Sequence, residues 1–231
     1  VIGFWPASSN NADTITLQTD KGEVKLEMLR QQLKKAVGQP SYSLADFVCP
    51  AELGNDFMGS FAVTIHGAKQ HIDRFAADHD EYNKILVQIL ADRMVEAFAE
   101  CLHKKVRTDL WGYAAQEAQE ALSTEALIAE KYQGIRPAPG YPACPEHTEK
   151  STIWSLLDVQ ERAGIELTDS MAMWPGASVS GLYFSHPKAQ YFVLGRIGRD
   201  QVEDYAERKG WTIAQTERWL SSNLGYRTED E

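Results

Sequence analysis

The run Arg136-Pro137-Ala138-Pro139-Gly140-Tyr141-Pro142 gathers residue types suited to holding a ligand on a rigid support. Its three prolines fix φ and remove backbone donors, so the run reads as a stiff extended loop rather than a helix or a central strand. Such a loop presents carbonyls and amides in set directions, and its ordering entropy is spent in folding rather than in binding. Arg136 at its head carries the planar fork that clamps a carboxylate through two parallel hydrogen bonds. A rigid crossover with Arg136 in an ordinary surface ion pair would have the same sequence, and the residues alone leave both readings open. Pro142-Ala143-Cys144-Pro145-Glu146-His147-Thr148-Glu149-Lys150 follows directly. His147 suits a proton carrier, a ligand contact or a structural imidazole equally. Cys144 has no base near it in sequence, which argues against a nucleophilic thiol. Thr148 or Glu146 suits the cap of a following helix.

A second group lies on a helical pattern. At 100° per residue, Asp92, Glu96 and His103 fall within one narrow angular range at the border of an apolar stripe. A carboxylate there meets an ammonium or hydroxyl in a cleft, or forms the solvated shoulder that commonly flanks such a stripe; spacing alone favours the shoulder. Residues 174–187 mix small residues with aromatics, and glycine within a strand permits close approach of a ligand or another backbone. Tyr191 and Phe192 sit side by side on what reads as the next strand, where adjacent side chains face opposite ways. One then reaches a ligand while its neighbour enters the core; two core aromatics is the plainer alternative. The sequence has no G-x-G-x-x-G, P-loop, zinc cluster or G-x-S-x-G elbow, and no Asp-x-His-x-x-Gly cobalamin-ligating motif.

The elements that must position these residues read as follows. Residues 1–5 form a short apolar strand and 13–19 alternate as a second, with Asn10-Asn11 as the turn between them. Residues 27–37 read as a helix closed by Gly38 and Pro40, and 57–65 as a strand with Phe61, Val63 and Ile65 on one face. From 72 to 111 no proline or glycine intervenes, and Ile85, Leu86, Ile89, Leu90, Val95, Phe98, Leu102, Val106 and Leu110 recur at helical spacing. That predicts one long helix, or two in tandem broken near His79-Asp80. Residues 124–132 and 148–163 read as helices, the latter closed by Gly164. Residues 170–174, 177–184 and 190–197 read as strands, and 200–209 and 213–220 as closing helices. Hairpin-like strands with flanking helices argue for an α+β fold in one domain.

Composition bounds the function. The 231 residues suffice for a substantial core, and a formal charge of −10 argues against nonspecific nucleic-acid binding. No apolar run approaches the roughly 20 residues needed to span a bilayer. The three cysteines are far apart in sequence, which fits a reducing cytoplasm. A chain that opens on a buried strand reads as a piece of a longer polypeptide.

Residues 134–150 closely resemble the signature run of the reactivation domain of cobalamin-dependent methionine synthase. Further blocks agree in order: residues 43–48, 91–100, 172–187 and 199–206, then Trp219-Leu220 and Leu224-Gly225-Tyr226. The resemblance covers nearly the whole chain. It implies a C-shaped α+β domain around a twisted antiparallel sheet, in the form of an activation domain that lacks its N-terminal part over residues 1–231. The implied function is to bind S-adenosylmethionine in a shallow groove, so that cobalamin oxidised to cob(II)alamin is reductively remethylated. The domain then belongs to a methyltransferase, the 5-methyltetrahydrofolate–homocysteine methyltransferase of methionine biosynthesis, with no turnover by itself. Implied partners are the cobalamin-binding domain, through which alone cobalamin is met, and a flavodoxin or related reductase; neither nucleic acid nor membrane is among them. Residue by residue, the resemblance implies that Arg136 contacts the ligand with Pro137, Ala138, Gly140 and Tyr141 beside it. Glu96 then supplies a nearby carboxylate, Tyr191 and Phe192 form an aromatic contact pair, and Tyr141 and His147 face the cobalamin. An acidic contact upstream of Val1 in the family has no counterpart here. The alternative is a docking module that keeps the fold and has lost the ligand.

Overall fold

Alternation sets the first strands. In the computed structural model, which describes residues 1–118 and 122–228, β1 (Ile2–Ser9), β2 (Thr14–Thr19) and β3 (Gly22–Glu27) form an antiparallel meander. Register pairs Ala7 with Leu17, Ile15 with Leu26 and Leu17 with Val24, and Ile15, Leu17 and Leu26 are wholly buried. The first turn is fixed by Asn10, whose Oδ1 accepts the amides of Ala12 and Thr14 at 3.0 Å each. β4 (Asp56–Thr64) follows; β5 (Glu166–Leu167) and β6 (Met173–Trp174) pair with each other, and β7 (Ser178–Tyr183) comes last. Among the described residues the main sheet is antiparallel and runs in the order β3-β2-β1-β4-β7, with helices flanking it. The expected α+β class holds.

The chain divides into two compact units. The first comprises Val1–Gly3, Ser60–Gln133 and Lys150–Gly181. Here α1 (Ala68–Ala77) and α2 (Glu81–Lys105) are the tandem helices predicted over 72–111, and the break falls at His79, with φ of 55°, and Asp80. Asp80 caps α2 by accepting the amide of Asn83 at 3.0 Å. The last turn, Val106–Leu110, widens to a π-helix. The apolar periodicity marks the packed face only in part: Val95 and Val106 of that series are buried. Ala91, Val95, Ala99 and His103 are buried, whereas Ile85, Leu86, Ile89, Leu90 and Phe98 are exposed. Small side chains let neighbouring elements approach closely, so the close-packed face is the alanine-rich one.

At the end of α2, Arg107 is 0% exposed. Its Nε donates to Glu117 at 2.9 Å, and its guanidinium stacks 4.0 Å above the ring of Tyr132. His103 meets Tyr132 edge-on at 5.3 Å. Three shorter helices complete the unit: α3 (Thr124–Ile128), α4 (Glu149–Leu157) and α5 (Val159–Ala163). The predicted helix over 124–132 is thus shorter, and the one over 148–163 is interrupted at Asp158, whose φ is 49°. Gly164, with φ of 62°, closes α5 as its position predicts.

The second unit comprises Phe4–Gly59, Gly134–Glu149 and Leu182–Glu231. α6 (Arg199–Lys209) and α7 (Ile213–Trp219) lie where the sequence puts them. Leu29, Leu194, Ile197, Val202, Tyr205, Leu220 and Leu224 form one buried cluster. Two expectations fail here. Residues 27–37 are not helical: β3 ends at Glu27, and an extended segment follows. Its backbone is satisfied partly by single backbone bonds, the Gln31 amide donating to the Tyr42 carbonyl at 2.9 Å, and partly by side chains. Gln201 accepts the Arg30 amide at 2.6 Å and donates to the Arg30 carbonyl at 2.8 Å, a side-chain amide standing in for a neighbouring strand. Arg30 itself grips Asp13, Asp46 and the Ser41 carbonyl. Residues 190–197 form no strand of a sheet, and Gly195 within them has φ of +78°. The Leu194 amide donates to Pro142, the Val193 carbonyl accepts from Gln31, and Asn223 holds the Gly195 carbonyl.

Removing the Arg107 side chain strands Glu117, only 12% exposed, without its cation. Arg107→Ala should therefore cost about 3–5 kcal/mol in a denaturant melt. A loss under about 1 kcal/mol would mean that the pair is not what holds this end of α2.

Candidate functional site

The proline loop is stitched down at its start and presented at its tip. Ile135 exchanges both backbone hydrogen bonds with Phe184 at 3.0 Å, and the Pro137 carbonyl accepts the Leu182 amide at 2.8 Å. The chain then folds back: the Tyr141 amide donates to Ala138 at 3.1 Å, and the Gly140 amide to Cys144 at 2.7 Å. The Pro142 carbonyl accepts the Leu194 amide at 2.9 Å. No described residue donates to the carbonyls of Pro139 and Gly140. Gly140 has φ of +96°, and a Cβ there would lie 2.3 Å from Cε1 of His147. The His147 ring therefore lies directly against the glycine, and no larger residue fits between.

Tyr191 joins the loop from the other side. Its hydroxyl oxygen accepts the Arg136 amide at 3.0 Å, which fixes the backbone from which the guanidinium projects. Phe192 turns into an aromatic cluster, with ring centroids 6.0 Å from Tyr42 and 6.5 Å from Phe47. His186 lies 6.1 Å from Phe47. Tyr42 and His186 were not singled out from sequence, and Phe47 entered only within a resembling block. Phe47 belongs to a 3-10 turn, Leu44–Phe47, closed by a reciprocal capping box between Ser43 and Asp46. That box is legible as Ser-x-x-Asp. Tyr141 is 64% exposed at the loop tip. The structure thus brings together Arg136, Pro137, Ala138, Gly140, Tyr141, His147 and Tyr191, with Phe192 adjoining. Glu96 lies on α2 of the first unit, its side chain 61% exposed and ion-paired with Arg93 at 3.0 Å. Of its two angular companions, Asp92 is exposed and His103 buried.

Beside His147 in the chain stand two buried acids that sequence reasoning did not single out for the site. Glu146 and Glu149 are each 1% exposed. Glu146 accepts from the Thr148 amide at 2.5 Å, the Thr148 hydroxyl at 2.7 Å and the Tyr205 hydroxyl at 3.3 Å. Lys209 donates to Glu149 at 2.7 Å and lies 3.6 Å from Glu146. Glu149 also accepts the Glu27 amide at 3.3 Å. Burial, then the neighbouring carboxylates, pushes the Tyr205 hydroxyl well above its ordinary range. Burial likewise pushes the Cys144 thiol up, aided by Glu149 and Glu146. A thiol held protonated is a poor nucleophile, in agreement with the reading of Cys144. Among the described residues no three His, Cys, Asp or Glu side chains group to hold a metal ion, and no helix is long and apolar enough to cross a membrane.

Comparison with known proteins identifies the family. The family described as the activation domain of vitamin B12-dependent methionine synthase matches residues 1–210. The chain belongs to that family. It is also similar to a crystal structure of the MetH reactivation domain bound to AdoHcy, with 53% identity and a TM-score of 0.92 over 98% of this chain and 70% of that one. A methionine synthase activation domain thus places its proline loop on backbone bonds and a tyrosine hydroxyl, with buried acids alongside.

Gly140→Ala should be costly on two counts, a left-handed φ and a collision with His147. We expect a loss of about 1–3 kcal/mol in thermal or denaturant melts. A melt unchanged within about 0.5 kcal/mol would show that the imidazole moves aside freely. Thiol titration of the native chain should modify exposed Cys101 quickly and buried Cys144 only on unfolding; rapid native modification at Cys144 would contradict its burial.

Proposed function

We propose that the loop at residues 136–141 binds S-adenosylmethionine and presents its methyl group for reductive remethylation of oxidised cobalamin carried by another domain of methionine synthase. The observation that carries this reading is the Tyr191–Arg136 bond, which fixes the backbone that bears an arginine at the head of a loop whose prolines leave it little freedom. The Pro139 and Gly140 carbonyls fit a cationic or N–H-bearing ligand, since they offer acceptors that no described residue uses. The AdoHcy bound by the 53% identical relative supports the ligand class, AdoHcy being S-adenosylmethionine without its methyl group. Arg136 then clamps the ligand carboxylate, the loop carbonyls face its positive groups, and Tyr191 and Phe192 supply aromatic surface. His147 and Tyr141 face the incoming partner. Cobalamin supplies the cobalt that receives the methyl group, and the electron comes from a flavodoxin or related reductase. The three free thiols support a reducing, cytoplasmic setting.

Titration calorimetry with S-adenosylmethionine and with AdoHcy tests the reading. The wild-type chain should bind both. Arg136→Lys keeps the charge but loses the fork, so binding should weaken by about tenfold or more, within the ~1.5–3 kcal/mol of a hydrogen bond to a charged group. Tyr191→Phe removes one anchor of the loop and should cost about 0.5–1.5 kcal/mol of affinity. A folded wild-type chain that gives no heat with either compound would leave only the docking-module reading. Methylation of cobalamin should require an added cobalamin domain and reductant, and tight cobalamin binding by this chain alone would overturn that division of labour.

A further inference from the structure

We infer that Lys209, at the end of α6, is a positioning residue for the ligand loop, acting through Glu146 and Glu149 on the His147 ring that packs against Gly140. The inference rests on the ligand reading above for its consequence in binding, but not for its mechanics. Glu146 and Glu149 bracket His147 in the chain and are almost wholly buried, so both ends of that segment need a fixed partner. The Lys209 ammonium, 2.7 Å from Glu149 and 3.6 Å from Glu146, spans the bracket. Its own position is set by the ring of Trp211, 4.8 Å away, and by that of Tyr205 at 5.9 Å. Tyr205, one helical turn before Lys209, donates its hydroxyl hydrogen to Glu146. Helix α6 therefore grips the segment 146–149 by two side chains from one face. Gly140 leaves no room for a Cβ beneath the imidazole, so a shift of segment 146–149 reaches the loop tip directly, next to the free carbonyls of Pro139 and Gly140.

The test uses the intact chain. Lys209→Met removes the cation, Lys209→Gln keeps a neutral donor should the first variant fold poorly, and Lys209→Arg restores the charge. Val202→Ala, in the buried cluster on the same helix, serves as a control for destabilisation alone. Backbone amide exchange at Gly140 and Tyr141 should rise in Lys209→Met and Lys209→Gln, and AdoHcy affinity should fall by about tenfold or more, the scale of a contact displaced by a fraction of an ångström. Lys209→Arg should recover most of both. Val202→Ala should lower the melting temperature while leaving affinity and loop exchange near wild type. Equal affinity and equal exchange in Lys209→Met and wild type would overturn the assignment. So would a Val202→Ala variant that loosens the loop as much at the same loss of stability. If the wild type fails to bind AdoHcy yet Lys209→Met still loosens the loop, the ligand reading falls and the positioning role stands.

Discussion

Two carboxylates in the interior of one compact unit constrain what surrounds them. An ionised group taken out of water is costly unless it is paired and hydrogen-bonded, and Glu146 and Glu149 are both almost fully enclosed. The end of α6 answers that demand. Arg208 and Lys209 are consecutive, so they point about 100° apart and serve different partners. Lys209 takes Glu149 and Glu146, while Arg208 takes Glu27 at 2.9 Å and the Met28 carbonyl at 3.0 Å. Burial works against the Arg208 charge, but its bonds to Glu27 and Asp204 outweigh it and hold the guanidinium firmly protonated. Cations also suit a helix C-terminus, where the backbone carbonyls carry partial negative charge. One helix end thereby fixes both the exit of β3 and the segment that follows the proline loop.

The same unit solves a second problem with side-chain amides. Between β3 and the 3-10 turn at Leu44–Phe47, and again over 190–197, the chain joins no sheet and is paired only by single bridges, Arg30 with Ser43 and Ile197 with Leu224. Backbone groups in such stretches still need partners. Gln201 serves Arg30, Gln31 serves Tyr42 and Val193, Gln32 serves Gly198, and Asn223 serves Gly195. Each amide offers a donor and an acceptor, as a peptide group does. This explains why residues 27–37 read as a helix and 190–197 as a sheet strand. Local pattern reports propensity, whereas the conformation here is set by amides up to 171 residues away in the chain.

Legibility followed the range of the physics. The proline loop was readable because proline acts on its own residue and the one before it. The break between α1 and α2 was readable because Asp80 caps locally. The packed face of α2 was legible only at Val95, because apolar periodicity marks what is able to be buried and the small residues Ala91 and Ala99 share the face that is. Within the site, Arg136 and Gly140 were legible as a stiff loop, while Tyr191 was read apart from it on a strand, and their joint assignment to a ligand came from resemblance. Lys209 was not legible at all, since it lies 60 residues from Glu149 and resembles any lysine at the end of a helix.

The arrangement also bears on why an enzyme would reserve a domain for this task. The two groups beside the loop with strongly shifted acidity, the Cys144 thiol and the Tyr205 hydroxyl, are shifted toward their protonated, unreactive forms. Both shifts come first from burial and then from the carboxylates of Glu146 and Glu149, which bracket His147 in the chain. A site built to activate a nucleophile would place cations against such groups, as lowered thiol acidity requires. Here burial and the carboxylates outweigh the nearby Lys209 and Arg208, and the features that remain are an arginine on a tethered backbone, two carbonyls that no described residue uses and an imidazole packed against Gly140. Under the function proposed above, such groups suit holding a molecule in one orientation rather than reacting with it. If the bound molecule is the methyl donor proposed above, which reacts only when another domain arrives, inertness of the surrounding side chains is as necessary as the grip itself.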